Sequence, residues 1–493
     1  MATKLNVVKR SLIIAFAERY SISALQFISI MVLARILTPE EIGIYTVALA
    51  VISFAQVFRD FGVSQYLVQE KVLNKKKVAA ALGVTTAIAL PLGILAYASA
   101  PVIANYYDEP LIRSVIEVSA INFFLLPIGA LAPDLLKRGM SFGTRSKINL
   151  GSAVTHVTMS ISLALMGFGV MSMAWATVGS SVVTAALGQL YLPKKYRVLP
   201  SLRGSRAVFS FGTYTLGSNI SEQMGTSVAD MLIGRVLGFS SLGLFSRARG
   251  FNKMYASIFR KATNPVIHAN FARENRGENG IGPSYVQTMD YVTLVGWSLA
   301  AFMGCMAERM IYVLFGEQWL GAAPIASVLC VGLLISIVNG INQTALVAMG
   351  EVRLIFNVSL LFNVLRLVIV LMTVNSGLLA VAAGMSAAFG IRFLIDSAVV
   401  YRIVNIEIKR VLKIYAKNLM SVAIICALPL YYLLNPMTDE ISILPAIKEL
   451  VFAGTSSLIA FVCVVVVSNH PAKSELVSLI ETFCRGKSGR PAD

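Results

Sequence analysis

The chain has 493 residues, of which 56% are hydrophobic and only 14% charged, with a mean hydropathy of +0.74. Soluble domains carry about 25% charged residues, so an ordinary soluble protein is excluded; apolar runs of about 20 residues, each long enough to cross a hydrocarbon core, recur from end to end. The net charge of +17 raises nucleic acid as a partner, but its placement in short alternate connections argues against one.

The pattern predicts an all-α polytopic membrane protein with about fourteen transmembrane helices. They lie near 11–34, 41–66, 78–100, 112–134, 148–167, 170–192, 207–235, 240–262, 287–306, 322–348, 354–374, 378–401, 414–434 and 446–468. Lysines and arginines crowd one set of connections: Lys4, Lys9 and Arg10; Lys71 with Lys75–Lys77; Lys137 to Lys147; Lys194 to Arg206. The alternate connections, such as NYYDEP (105–110) and NPMTDE (435–440), are acidic or neutral. That is the positive-inside pattern, and it predicts cytoplasmic termini. The same cations attract anionic phospholipid headgroups. The first run is read as a retained span, not a cleaved signal peptide.

The first span carries Glu18 and Arg19 side by side in AFAERYSIS. A charge at the bilayer centre costs about 2.5–3.5 kcal/mol on insertion scales, so both call for a use. Arg19, Ser23 and Gln26 share one helix face. In the second span Arg59 and Asp60 either face a cavity or tie the helix to a neighbour. His156 in the fifth span reads as a packing histidine. The seventh carries Ser218, Glu222, Thr226 and Asp230 at four-residue intervals, and the eighth carries Arg247, Arg249 and Lys253. The connection 263–286 reads as a solvated loop. Ser359, Asn363 and Arg366 line one face of the eleventh span, and Arg392–Asp396 in the twelfth reads as a structural ion pair.

Glu18, Arg19, Arg59, Asp60, Glu222, Asp230, Arg247, Arg249, Lys253 and Arg366 are therefore the candidate substrate-cavity residues. Basic groups outnumber acidic ones in these spans, which suits an anionic substrate. There is no Walker A, GxSxG or HExxH motif, so neither ATP hydrolysis nor another enzymatic activity is expected. The five cysteines have no metal-ligand spacing and read as packing residues, and no cofactor is expected.

A weak internal repeat runs at an offset of 200: VLARILTPEEIGIY (32–45) against LIGRVLGFSSLGLF (232–245). KRGMSF (137–142) and AMGEVR (348–353) each lie between a fourth and a fifth span, and YRVLP (196–200) and YRIVN (401–405) close the halves. The division expected is an N-lobe of six helices (1–200), a C-lobe of six (201–405), two further helices with an amphipathic lead-in (406–470), and a cytoplasmic tail (471–493). Six helices per half give parallel repeats about an axis along the membrane normal, with a substrate site expected where they meet.

The stretch VLARILTPEEIGIYTVALAVISFAQVFRDFGVSQYLVQE (32–70) resembles the opening of Wzx-type polysaccharide flippases of the multidrug/oligosaccharidyl-lipid/polysaccharide (MOP) superfamily. LGLFSRARGFNKM (242–254) is similar to their eighth-span segment. Within the family the resemblance is to exporters of exopolysaccharide units such as succinoglycan or colanic acid. The resemblance implies two six-helix lobes in a V around a cationic cavity, in the bacterial inner membrane. It implies an undecaprenyl-pyrophosphate-linked oligosaccharide as substrate, for exopolysaccharide or lipopolysaccharide biosynthesis, with a polysaccharide polymerase and chain-length regulator as partners. The last two helices would flank a groove for the lipid tail. In related lipid II flippases, arginines of the first, second and eighth helices bind pyrophosphate; Arg19, Arg59 and Arg249 occupy comparable helices. On that reading Arg19 contacts pyrophosphate or an acidic sugar, while Glu18 pairs with a cavity arginine or couples a proton.

Three other functions compete, one of them a peptidoglycan-precursor flippase, which the 32–70 stretch disfavours. A cation-coupled multidrug antiporter of the same superfamily should favour acidic cavity groups. A membrane polysaccharide polymerase or glycosyltransferase should carry a large outer loop, and the outer loops here are short.

Overall fold

The computed structural model describes residues 2–59, 62–129, 131–255, 259–277, 280–435, 437 and 442–467. Among these, every regular element is a helix. In chain order they are α1 (Ala2–Ile36), α2 (Pro39–Arg59), α3 (Val63–Gln69), α4 (Lys75–Tyr107), α5 (Pro110–Gly129), α6 (Leu131–Arg138), α7 (Phe142–Leu165), α8 (Met171–Tyr191), α9 (Arg206–Leu237) and α10 (Phe239–Tyr255). They continue with α11 (Lys261–Glu274), α12 (Gly282–Cys305), α13 (Ala307–Phe315), α14 (Ala323–Met349), α15 (Val352–Thr373), α16 (Leu378–Val404), α17 (Ile408–Ile425), α18 (Ala427–Leu434) and α19 (Ile443–Val467). They group into two compact units, residues 1–246 with 370–375, and 247–369 with 376–493.

Among the described residues ten helices are long and apolar enough to span a membrane, and two bent pairs, each taken as one span, bring the number to twelve. The pairs are α12–α13, bent by 70° at Met306, and α17–α18, bent by 64° at Cys426. Fourteen spans are therefore not recovered on this test. The difference lies in α9 and α10, which are helical at the expected seventh and eighth positions. The many polar residues of α9 and the 17-residue length of α10 set these two helices apart from the others.

Local chemistry sets several boundaries. In TPEE the Thr38 hydroxyl accepts from the Glu41 amide at 3.2 Å and the Glu41 carboxylate accepts from the Thr38 amide at 2.8 Å. This reciprocal capping box, with Pro39 in the first turn, starts α2. Asn74 starts α4 by accepting from the Lys77 amide at 2.9 Å. The connection 263–286, expected as a loop, is helical through Glu274. Ile267 and Phe271, four residues apart, give it an apolar face that is buried, and Phe271 stacks on Tyr285 of α12.

Polar contacts fix helix directions. Glu18–Asn149 and Ser29–Ser160 are both 131 residues apart, so α1 and α7 run parallel in register. Asp290–Asn418 and Ser298–Cys426, both 128 apart, do the same for α12 and α17. Ser152–Thr184 and Met159–Gly179 make α7 and α8 antiparallel. Trp297–Leu334 and Gly304–Ser327 do so for α12 and α14. Neighbours in sequence run opposite and helices an even number of crossings apart run together, as one membrane crossing per helix requires.

The repeat is legible in two places. Gly43 lies so close to Phe239 that a Cβ would overlap its carbonyl oxygen, and Gly243 stands in the same relation to Pro39. Each partner is the other's equivalent at the offset of 200. The turn after α6 has Met140 at φ 54°, with Met140 N–H to Lys137 O and Ser141 N–H to Leu136 O. The turn after α14 repeats it, with Gly350 at φ 83°, Gly350 N–H to Val347 O and Glu351 N–H to Leu346 O.

Candidate functional site

The candidate residues fall into both units, and each set is described within its own. In the first unit Glu18 is buried on the α7-facing side of α1, and its Oε1 accepts from Asn149 Nδ2 at 2.6 Å. Its Oε2 is also buried and has no hydrogen-bond partner among the described residues. Arg19, one position on, points about 100° away and is exposed. Ser23 and Gln26 are half-buried and exposed, so the polar stripe lies off the α7 contact. Arg59 is half-buried at the last turn of α2. Asp60 lies outside the described residues, and the side chain of Glu222 in α9 does too. Asp230 is buried one turn before Gly234, which abuts Val47 of α2. Beside it, Met231 O accepts from the Tyr107 hydroxyl at 2.9 Å.

In the second unit Arg247 is buried with its guanidinium 4.9 Å from the Phe315 ring and 4.5 Å from the Trp319 ring. Cation–π contact replaces much of the lost hydration for such a group. Arg249 is half-buried and Lys253 exposed, so α10 presents three cations in three different environments. Arg366 is buried beside Phe362, at 5.9 Å. The same ring lies 4.7 Å from Arg392, which pairs with Asp396 at 3.2 Å and donates to Ser359 at 3.2 Å. The Arg392–Asp396 pair is thus locked across α15 and α16.

Two arrangements were not singled out from sequence. One is Asn149, whose partnership with Glu18 no spacing rule reveals. The other is Arg309, 3% exposed, which donates to Glu449 at 3.0 Å, Glu308 at 2.8 Å, Tyr432 O at 2.8 Å and Asn435 O at 2.6 Å. The adjacent Glu308 and Arg309 after an apolar run were the available signal. No group of three His, Cys, Asp or Glu side chains able to hold a metal occurs among the described residues. Chemically, the first unit buries the carboxylates Glu18 and Asp230 and the second Asp290 and Asp396, each unit setting them with cationic groups among apolar helices, an arrangement able to bind charge.

A family model described as polysaccharide biosynthesis protein matches residues 32–324, more than half of the chain. The chain belongs to the polysaccharide biosynthesis protein family. This member is 25% identical over 340 residues to the teichuronic acid biosynthesis protein TuaB of Bacillus subtilis, covering 68% of this chain and 70% of that one. It is 26% identical over 307 residues to the succinoglycan biosynthesis transport protein ExoT of Rhizobium meliloti, covering 62% of each. It is 22% identical over 491 residues to the lipopolysaccharide biosynthesis protein WzxC of Escherichia coli, covering 94% of each. The fold matches the lipid II flippase MurJ in an inward closed conformation with a TM-score of 0.73 at 14% identity, over 91% of this chain and 97% of that one. It also matches an inward-facing multidrug resistance MATE family transporter of the MOP superfamily, with a TM-score of 0.63 at 16% identity over 78% and 94%. This family member therefore has the MOP-transporter fold, and its structural neighbours are transporters, not enzymes.

Proposed function

We propose that the protein flips lipid-linked saccharide across a membrane, and specifically undecaprenyl-pyrophosphate-linked oligosaccharide repeat units across the bacterial inner membrane. The observation that carries this reading is the family match over 32–324, with relatives named for lipopolysaccharide and succinoglycan biosynthesis. The excess of arginine and lysine over carboxylates within the spans supports an anionic headgroup, since the guanidinium fork matches phosphate oxygens. Arg19, Arg59, Arg249 and Arg366 are the groups assigned to it. Alternating access between lobes at 1–200 and 201–405 completes the cycle, with residues 406–470 beside them for the polyprenyl tail. The basic connections support cytoplasmic termini. A polymerase and a chain-length regulator would take the product on the outer face.

The test combines genetics and chemistry. The gene is deleted, complemented with wild type or Arg19→Ala, and lipid-linked repeat units and exported polymer are quantified. The expected result is loss of polymer and accumulation of lipid-linked units in the deletion, copied by Arg19→Ala at normal protein level. Unchanged polymer with raised drug sensitivity would instead identify an efflux antiporter and overturn the assignment.

A further inference from the structure

At one end of the first unit, the start of α4, the end of α5, the first turn of α6, the last turn of α8 and residues 192–199 enclose a cavity of about 320 Å³. This is the end that carries Lys75–Lys77, Lys137, Arg138, Lys194 and Lys195, so the charge pattern places it at the cytoplasmic interface. The walls are apolar, built from Leu82, Ile128, Leu131, Ala132, Leu192 and Val198. The mouth is different. Tyr196 stands there with Lys195 Nζ 4.8 Å above its ring, and exposed Arg197 is anchored by a 3.1 Å hydrogen bond from Nη2 to Gln189 O.

The segment beyond the mouth adds an independent observation. Leu199 is 85% exposed and Leu202 is exposed too, both flanked by Lys194, Lys195, Arg197 and Arg203. Exposed leucines beside cations and a tyrosine are the composition of a segment seated at the boundary between headgroups and acyl chains. The apolar walls offer a water molecule few partners, so the space favours a hydrocarbon occupant.

We propose that this cavity is a binding site for an anionic phospholipid of the cytoplasmic leaflet. One acyl chain enters between α4, the facing ends of α5 and α6, and α8, and the headgroup phosphate meets Lys194, Lys195 and Arg197. A sugar-bearing carrier lipid is a poorer match. The mouth's one amide side chain, Gln189, is already bonded to the Ile128 carbonyl, leaving little to recognise hydroxyls. Occupancy would tether the connection into α9, which the Ser201 N–H to Ala79 O bond of 3.0 Å already holds against α4. The inference does not depend on the identity of the transported substrate.

The experiment uses full-length protein in nanodiscs, with phosphatidylglycerol or phosphatidylcholine carrying a photoactivatable acyl chain, and maps the labelled peptides by mass spectrometry. Phosphatidylglycerol is expected to label peptides covering 127–132 and 188–199 several-fold more than phosphatidylcholine. Joint substitution of Lys194→Gln, Lys195→Gln and Arg197→Gln is expected to reduce that labelling by at least about tenfold, as removal of three interfacial cations should. Leu199→Asn, which keeps every charge, should reduce it as well. Equal labelling by both lipids, or labelling indifferent to neutralisation, would show a nonspecific crevice and overturn the proposal. Displacement of phosphatidylglycerol by equimolar undecaprenyl phosphate would overturn it too, assigning the cavity to the carrier lipid.

Discussion

Thr46 and Ser246, two hundred positions apart, meet with their hydroxyl oxygens 3.4 Å from each other. Around this point Gly43 abuts Phe239 and Gly243 abuts Pro39, so the contact maps onto itself when 200 is added or subtracted. Two copies of one helix start face each other, as the same surface patch does across a two-fold interface. The repeat seen in the sequence is therefore also a packing contact within the first unit.

That contact allows no side chain at either glycine. Gly43→Ala and Gly243→Ala should each lower stability by about 1–3 kcal/mol, the usual cost of forcing atoms into a packed contact. Gly250→Ala is the control, because a Cβ there meets nothing within 4 Å. Thermal unfolding of the purified variants in detergent measures this. Equal unfolding temperatures for all three would show that the close approach is not real.

Glu18 and Asn149 should be energetically coupled. A double-mutant cycle of Glu18→Ala and Asn149→Ala is expected to give about 0.6–1.7 kcal/mol, the range for interhelical hydrogen bonds in membranes. Glu18→Gln should keep most of the coupling, because the amide oxygen can still accept from Asn149. A coupling near zero would mean that the two helices do not meet through this pair.

Arg309 should tolerate no replacement. Its donors serve two carboxylates and two backbone carbonyls, joining α13 to α19 and to the end of α18. Arg309→Met is expected to cost about 3 kcal/mol or more by leaving buried acceptors unmet. Arg309→Lys should fall close to it, since an ammonium cannot reproduce the planar fork. Unfolding temperature and resistance to limited proteolysis near 435–443 are the readouts; a lysine variant as stable as wild type would contradict the fork argument.

Glu70, just past the second span, accepts from Lys77 Nζ at 3.0 Å. That hydrogen bond, reinforced by the charge of Lys77, outweighs partial burial and holds the Glu70 carboxyl below its ordinary value. A depressed carboxyl contributes stability above its unfolded pKa and loses it as pH falls through the folded one. Lys77→Met should therefore lower stability at neutral pH and shrink the difference from wild type below about pH 4. A gap between the two unfolding curves that stays constant down to that pH would rule the pair out.

Periodic features were legible in the chain and singular ones were not. The first six expected spans coincide with α1, α2, α4, α5, α7 and α8 because hydropathy alone sets them. The bend at Cys426 leaves no trace there, since it lies inside a continuous apolar run, whereas the one at Met306 falls where Glu308 and Arg309 interrupt the run. Glu18 was conspicuous as a charge among apolar neighbours, whereas Asn149 was not, because its importance comes from a helix 131 residues away. Arg247 was equally visible in sequence; the Phe315 and Trp319 rings that hold it come from a separate part of the chain. The corner at 263–286 was misjudged because its polar residues outnumber the apolar ones that bury, Ile267 and Phe271 of α11 with Ile281, Tyr285 and Val286.

The polarity of α9 has a consequence for how the protein is made. A helix bearing Glu222, Asp230 and Arg235 is a poor candidate for spontaneous entry from the translocon, at about 2.5–3.5 kcal/mol per charge near its centre. Its contacts in the first unit include α2, through Val47, and α4, through Tyr107, and both are synthesised before it. The ribosome thus delivers the docking surface first and the reluctant passenger afterwards. Order of synthesis puts a packing surface in place before this polar helix emerges.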